Sequence, residues 1–221
     1  MQKEGIYLID KPAEWTSFDV VAKMRRITGV KSVGHAGTLD PFATGLLIVL
    51  VGKEFTKRQN EFMKLDKEYN ATLKLGFEST TGDPEGEITT VAKGLSLGKP
   101  EVEEVLKSFV GGIEQIPPAH SAIKINGERA YKKARKGQDF EMPKRRITIY
   151  SLDLISYKYP LVKFLVKCSS GTYIRTLGED IAGSLGTKGY LTELRREKIG
   201  KYDIVNSRKI DEIDKAKLTL P

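Results

Sequence analysis

The feature that most constrains the fold is the end of the stretch "GHAGTLDPFATGLLIVLVG", residues 34–52. Six uninterrupted apolar residues, Leu46–Val51, lie between two glycines. This run predicts a strand buried on both faces, because a half-exposed strand alternates apolar and polar residues. A single aspartate, Asp40, stands at the tip of the glycine-rich loop directly before this strand. Its position raises the question of what the carboxylate does there.

The rest of the chain mixes helix and strand patterns without a regular alternation. Ranges with a strand pattern are 5–12, 46–52, 68–77 and two strands within 145–175. Ranges with a helix pattern are 16–29, 99–113, 175–185 and a short basic helix after a turn at Asn126-Gly127, while 190–204 fits either element. Such a mixture predicts an α+β fold with a mixed sheet rather than a doubly wound one.

The charge of the chain favours a polyanionic partner. The 221 residues include 37 Lys plus Arg against 29 Asp plus Glu, a net charge of +8. Basic side chains bind nucleic acids by releasing condensed counterions, so nucleic acid comes before a membrane surface as a partner. A lysine-rich surface without a partner explains the same charge equally well.

The sparse cysteines and histidines exclude several classes of protein. The one cysteine, Cys168, cannot form an internal disulfide, and His35 and His120 lie too far apart in sequence to suggest structural zinc. There is no apolar run of about 20 residues for a membrane span and no secretory signal pattern. We expect a reducing, cytoplasmic location.

Three interpretations of the Asp40 loop compete. A phosphate-binding loop is disfavoured, because the Gly-Lys-Ser/Thr ending is missing. Asp40 can be a structural cap, which is what most isolated loop aspartates are. Alternatively, Asp40 is a catalytic carboxylate: Pro41 restricts its backbone, and Gly34, Gly37 and Gly45 let the chain approach a ligand closely.

Five segments together resemble the motifs of one family, the TruB family of tRNA pseudouridine synthases. They follow the order of that family and cover nearly the whole chain. The segments are "GHAGTLDPFATGLL", "KEYNATLKLGFESTTGDPEG", "IPPAHSAIKINGERAYKKARKG", "CSSGTYIRTLGEDIA" and "YLTELRREKIG".

The resemblance implies a pseudouridine synthase fold, with a central mixed or antiparallel sheet flanked by helices. It implies one catalytic domain over residues 1–221, an RNA-gripping insertion at about 117–146 and a short tail at about 205–221. Family members commonly carry a C-terminal RNA-binding domain of the PUA type. We expect none here, because the last motif lies close to Pro221, and we therefore expect tRNA binding to depend strongly on the insertion.

The resemblance also implies a reaction, the isomerisation of uridine 55 in the T arm of tRNA to pseudouridine. No cofactor or metal is required. Asp40 matches the nucleophile, and attack at the sugar C1′ and at the base C6 both remain open. Tyr69 matches the residue that stacks on the base and removes its C5 proton, and Arg175 matches the arginine that pairs with Asp40. A glycosidase would need a second carboxylate, for which Asp83 and Glu85 are the rivals.

The remaining predicted site residues contact the RNA. By resemblance, Leu194 touches the target base and His35 fills the space that the flipped base leaves. The other predicted substrate contacts are Gly37, Thr38, Lys124, Arg129, Tyr131, Lys132, Arg195 and Arg196. Basic residues interleaved with aromatic ones suit RNA. Each also has a plain structural explanation, such as core packing for Tyr69 and Leu194 or a solvated surface for the lysines.

The expected partner is tRNA, bound by a monomer that acts without a protein partner. Two other functions stay open. A non-catalytic RNA-binding or tRNA-folding module would keep the fold without the chemistry. An RNA glycosylase would stop after bond cleavage and release free uracil.

Overall fold

The structure, a computed structural model, describes residues 4–91, 97–119, 121, 123–125 and 127–213. His120, Asn126 of the predicted turn and residues 214–221 of the predicted tail lie outside the described residues. The strands are β1 (Gly5–Lys11), β2 (Val33–Ala36), β3 (Thr44–Val51), β4 (Lys67–Leu75), β5 (Phe77–Ser79), β6 (Ile88–Thr90), β7 (Gly111–Gln115), β8 (Lys124–Ile125), β9 (Glu128–Arg129), β10 (Arg145–Lys158), β11 (Leu161–Cys168), β12 (Gly189–Ile199), β13 (Tyr202–Asp203) and β14 (Arg208–Lys209).

The helices are fewer and mostly short. They are α1 (Ser17–Thr28), α2 (Lys53–Thr56), α3 (Gln59–Met63), α4 (Lys99–Ser108), α5 (Ala130–Arg135), α6 (Ile174–Ser184) and α7 (Ile210–Ile213), with a 3₁₀ turn at Ile204–Asn206. Across the described ranges, no helix is both long and apolar enough to cross a membrane. The mixture of elements confirms the predicted α+β class.

The chain groups into two compact units. The first contains Met1–Ala71 and Glu193–Pro221, and the second contains Thr72–Thr192. Strands β4 and β12 contribute residues to both units. Asp40, Tyr69, Leu194 and His35 belong to the first unit and Arg175 to the second.

Strand β3 is the centre of the first unit. It pairs antiparallel with β1 and β2 and parallel with β12, where Arg196 lies opposite Gly45. Leu47, Val49 and Val51 pack in one hydrophobic cluster with α1 and α7. Leu46, Ile48 and Leu50 pack in a second cluster with Phe62 of α3. The strand is therefore buried on both faces, as its apolar run predicts.

Helix α1 begins and ends at the residues its sequence signals indicate. Thr16 and Asp19 form a capping box, in which each side chain accepts a hydrogen bond from the backbone nitrogen of the other. Gly29 ends the helix in the left-handed conformation and donates its N–H to Arg25 O at 2.9 Å. These signals are local, so the sequence alone predicts this helix well.

The second unit contains an antiparallel run of strands. Strand β10 pairs with β11 on one side and with β7 on the other. One face is buried through Ile147, Ile149 and alternate residues of β11, such as Phe164. Strands β5 and β6 form a hairpin around residues 80–87, and β8 and β9 form a smaller hairpin before α5.

The structure corrects one predicted helix and decides the state of one ambiguous segment. The predicted helix over 99–113 ends at Ser108, and Gly111 instead begins β7, because this segment pairs with β10. The ambiguous range 190–204 is mainly strand β12, which pairs with β3 through Arg195 opposite Thr44. In both places long-range strand pairing overrides the local pattern.

We predict that Gly45→Ala destabilises the protein more than Gly29→Ala. Both glycines have positive φ, 102° and 71°, so alanine strains either backbone. A Cβ at Gly45 would also lie 2.7 Å from Arg196 N, whereas a Cβ at Gly29 meets nothing within 4 Å. We expect a loss in unfolding free energy of about 3 kcal/mol for Gly45→Ala and about 1 kcal/mol for Gly29→Ala. Urea unfolding measures both, and equal losses would contradict the prediction.

Candidate active site

The loop that carries Asp40 is held by its backbone. Each carbonyl oxygen from Gly37 to Pro41 accepts a hydrogen bond. Ser17, the buried first residue of α1, accepts from Leu39 N at 2.9 Å and donates to Leu39 O at 3.1 Å. On the other side of the loop, Ala43 N donates to Asp40 O at 3.1 Å. The path of the chain at Asp40 is thus fixed from both directions.

Arg196 of β12 holds the first part of this loop. Its guanidinium donates to Leu46 O at 2.7 Å, to Gly37 O at 3.1 Å and to Thr38 O at 3.4 Å. The residue is only 1% exposed. Sequence reasoning assigned Arg196 to RNA binding, but a buried guanidinium cannot reach an RNA backbone. Its position instead makes it a support for the Asp40 loop.

Lys11 at the end of β1 holds the last part of the loop. The residue is fully buried, and its ammonium donates to Trp15 O at 2.6 Å, Pro12 O at 2.8 Å and Pro41 O at 3.2 Å. Pro41 O also accepts from Glu14 N at 2.9 Å. Carbonyl oxygens are suitable acceptors for a buried ammonium group, which needs all its donors satisfied. Sequence reasoning missed Lys11 because lysines are usually exposed.

Asp40 itself is partly exposed, between the buried Leu39 and the half-exposed Pro41. A reactive side chain needs this combination of a rigid backbone and access for the substrate. Gly37 is half-exposed and Thr38 is exposed in the same loop. The arrangement suits a carboxylate that attacks a substrate arriving from solvent.

Tyr69 and Leu194 lie on β4 and β12 in the same unit as Asp40. They are 8% and 7% exposed, so each is buried with a small accessible surface. This burial agrees both with core packing and with contact to a bound base. Their predicted roles in substrate binding remain predictions.

His35 occupies β2, opposite Val49 of β3. Gln59 of α3 donates to His35 O at 2.7 Å and fixes its backbone. Its Nδ1 atom is buried and has no hydrogen-bond partner among the described residues. Burial lowers the pKa of His35, and the positive charge of Arg196 lowers it further, against a hydrogen bond with the Gly37 backbone. The ring is therefore held as neutral imidazole beside the Asp40 loop.

Arg175 lies in the first turn of α6 in the second unit and is 4% exposed. Its guanidinium donates to Thr81 O at 2.7 Å and forms an ion pair with Asp83 at 3.2 Å. Asp83 Oδ1 also accepts from Thr81 Oγ1 at 2.6 Å and from Glu85 N at 3.0 Å. Residues 80–87 between β5 and β6, here called the acidic turn, therefore contact Arg175 through Thr81 and Asp83. The sequence analysis names both residues but does not predict this pair, because they lie 92 positions apart in the sequence. The pairing of Arg175 with Asp40 stays a prediction.

The predicted basic contacts differ in exposure. Lys124, Arg129 and Lys132 of the insertion are exposed, and Tyr131 is half-buried. Arg195 makes a two-pronged ion pair with Asp10, with N–O distances of 3.0 and 2.8 Å, and its side chain is 38% exposed. The insertion residues are placed where RNA can reach them, and their binding role stays a prediction.

The part of the chain that the structure describes holds no group of three or more His, Cys, Asp or Glu side chains arranged to bind a metal ion. The functional groups described above at the Asp40 loop include a carboxylate, an imidazole and the buried cations Lys11 and Arg196, which donate to backbone carbonyls. This set of groups suits covalent or acid–base chemistry on a substrate supplied from outside.

Two solved structures share the fold of this chain. A crystal structure of a Cbf5–Nop10–Gar1 complex superposes with a TM-score of 0.74 at 26% identity and covers 96% of this chain and 54% of that one. A structure of an H/ACA RNP bound to a substrate RNA containing 2′-deoxyuridine superposes with a TM-score of 0.71 at 24% identity and covers 96% and 53%. The chain thus spans about half the length of these solved chains. The predicted pseudouridine synthase fold is confirmed.

Sequence comparisons define the family. The model of the TruB family pseudouridylate synthase N-terminal domain matches residues 25–174. The tRNA pseudouridine synthase B of Desulfotalea psychrophila is 48% identical over 90% of this chain and 83% of its own. That of Thermobifida fusca is 40% identical over 95% and 74%, and that of Parabacteroides distasonis is 45% identical over 95% and 91%. The chain belongs to the TruB family of pseudouridylate synthases.

We predict that His35 makes the stability of the protein fall as the pH decreases below 6.5, its ordinary pKa. Because the folded-state pKa is lowered, the unfolded chain binds the proton more readily than the folded one, so acid favours unfolding. The loss begins at the unfolded pKa and ends at the folded pKa. Chemical unfolding between pH 7.5 and 5.5 should show a smaller pH dependence for His35→Gln than for the wild type. Identical pH dependences would contradict the assignment.

We predict that Asp83→Ala destabilises the protein strongly, because it removes a carboxylate from a buried guanidinium. The expected loss in unfolding free energy is about 3–5 kcal/mol. The matched control is Glu78→Ala on the same hairpin, which breaks an ion pair with Lys188 whose side chains are 51% and 59% exposed. That change should cost less than about 1 kcal/mol. Thermal and urea unfolding compare the two, and similar losses would show that the buried pair contributes little.

Proposed function

We propose that this chain isomerises uridine 55 in the T arm of tRNA to pseudouridine, with Asp40 as the nucleophile. The observation that carries the proposal is the loop geometry: Asp40 stands partly exposed on a backbone whose carbonyls from Gly37 to Pro41 are all hydrogen-bonded. Membership of the TruB family supports the reaction. The relatives are named tRNA pseudouridine synthase B, which supports tRNA as the substrate.

The reaction exchanges one bond for another. The N1–C1′ bond of uridine breaks, the base turns, a C5–C1′ bond forms and the C5 proton moves to solvent while N1 gains one. No atoms are added or lost overall. A carboxylate that forms a covalent bond to the sugar C1′ or to the base C6 divides this exchange into easier steps. A single nucleophilic side chain, held still, is sufficient for this chemistry.

The other site residues act on the base and on Asp40. In this proposal, Tyr69 stacks on the uracil and removes the C5 proton, and Leu194 contacts the base with an apolar surface. Arg175 pairs with Asp40 and keeps it ionised and oriented. The hydrogen bond from Arg175 to Thr81 O and its ion pair with Asp83 restrict the guanidinium, which supports a positioned rather than a mobile side chain.

The target base lies inside folded RNA and must turn outward to reach the carboxylate. We propose that His35 fills the vacated space as a neutral ring, in agreement with its lowered pKa. Lys124, Arg129, Tyr131 and Lys132 of the insertion bind the tRNA, and the net charge of +8 favours the encounter. The enzyme works in the cytoplasm as a monomer and without a protein partner.

The proposal predicts that Asp40→Asn abolishes pseudouridine formation and leaves tRNA binding intact. An amide has nearly the same size as a carboxylate but is a far weaker nucleophile, so we expect a loss of roughly 10³-fold or more in kcat. Purified protein is incubated with an unmodified tRNA transcript, and pseudouridine is mapped at each position. Asp211→Asn, an exposed aspartate on α7, is the matched control and should keep full activity.

The outcomes separate the functions. Pseudouridine at position 55 with the wild type alone supports the enzyme, the nucleophile and action without a partner. Release of free uracil would identify a glycosylase instead. Tight tRNA binding without any modification would overturn the enzymatic proposal and indicate a binding or tRNA-folding module.

A further inference from the structure

The base of the insertion is joined to the turn that begins α6. Gln115, the last residue of β7, is 1% exposed. Its Oε1 accepts from Tyr173 N at 2.8 Å, and its Nε2 donates to Tyr173 O at 3.0 Å. One buried amide therefore satisfies both backbone groups of a single residue 58 positions away in sequence.

Tyr173 is the residue at which α6 begins. It is the N-cap residue, and Leu177 N donates to its carbonyl at 3.0 Å as the first helical hydrogen bond. Its own side chain makes no capping hydrogen bond. Gln115 therefore fixes the start of the helix from outside, two residues before Arg175. The contact thus lies at the first turn of α6, which carries Arg175.

Arg145 reinforces the same contact from the other end of the insertion. It is the first residue of β10 and lies opposite Gln115 in the strand pair. Its guanidinium donates to Gly171 O at 3.3 Å and lies 6.0 Å from the centre of the Tyr173 ring. A Cβ at Gly171 would approach this guanidinium to 2.9 Å, so the turn fits closely against it. The chain leaves the sheet at Gln115 and returns at Arg145.

We propose that Gln115 and Arg145 are positioning residues for Arg175 and that they couple the insertion to Arg175. The inference rests on the proposed function in one respect, since it takes Arg175 to act in catalysis. The insertion, defined above as residues of about 117–146, carries the exposed basic residues Lys124, Arg129 and Lys132. When tRNA binds the insertion, it also restricts the movement of Gln115 at the end of β7 and of Arg145 at the start of β10. The two bonds from Gln115 then restrict Tyr173 and the first turn of α6.

The first experiment separates chemistry from binding. Gln115→Met keeps the length of the side chain and removes both hydrogen bonds to Tyr173. We expect kcat for pseudouridine formation to fall about 10- to 100-fold, because a misplaced catalytic group costs rates of that order. The Kd for tRNA should stay within about 2-fold, since Gln115 is buried and does not reach the RNA. An unchanged kcat, or equal losses in kcat and tRNA affinity, would overturn the proposal.

Gln115→Glu provides a matched variant at the same position. Its ionised carboxylate accepts from Tyr173 N but cannot donate to Tyr173 O, whereas the protonated form does both. The activity of this variant relative to the wild type should therefore rise as the pH is lowered. The ratio for Gln115→Met should stay flat over the same range. Parallel pH profiles for the two variants would contradict a role for the donated hydrogen bond.

The second experiment has no need of activity. Amide hydrogen exchange, read by mass spectrometry, should show faster exchange for residues 173–177 in Gln115→Met than in the wild type. Added tRNA should slow this exchange in the wild type and have a smaller effect in the variant. Equal protection by tRNA in both proteins would overturn the coupling. Pseudouridine formation by the wild type is measured separately. Its absence would count against the proposed function, and the exchange result would still test the contact between Gln115 and Tyr173.

Discussion

The hydrogen bonds to the carbonyls of residues 37–41 are the constraint on which the candidate site depends. Their donors include Lys11 at the end of β1, Ser17 at the start of α1 and Arg196 on β12. A loop of this composition has no regular structure of its own, so its shape comes from these donors. The carboxylate of Asp40 is therefore in place only when β1, α1 and β12 have all packed around β3.

The buried cations also set the electrostatic character of the loop. The hydrogen bonds described for Lys11 and Arg196 go to carbonyl oxygens. Arg196 also acts on the ring beside the loop, because its positive charge lowers the pKa of His35 in addition to the effect of burial. The same contacts thus provide both rigidity and charge.

Local patterns were enough for some elements and not for others. The apolar run of β3 and the caps of α1 carry their information within a few residues, and both were predictable. The end of α4 at Ser108 and the strand state of β12 depend on partners far away in sequence, namely β10 and β3. The catalytic role of Asp40 is predicted from the resemblance of its surrounding motif to a family. Its supports could not be predicted, because hydrogen bonds such as that from Arg196 to Gly37 depend on tertiary packing.

The supports nevertheless leave a trace in the sequence. Tyr7, Ile9 and Lys11 follow one another on the buried face of β1, and Leu194 and Arg196 do so on β12. A cation in phase with the apolar side of a strand is costly unless every donor finds an acceptor. The acceptors of both cations include carbonyl oxygens of the Asp40 loop, namely Pro41 O for Lys11 and Gly37 O for Arg196. These carbonyls are available because the loop forms no helix or strand. A basic residue in phase with the apolar side of a strand thus marks a strand that holds a loop through the carbonyl oxygens of that loop.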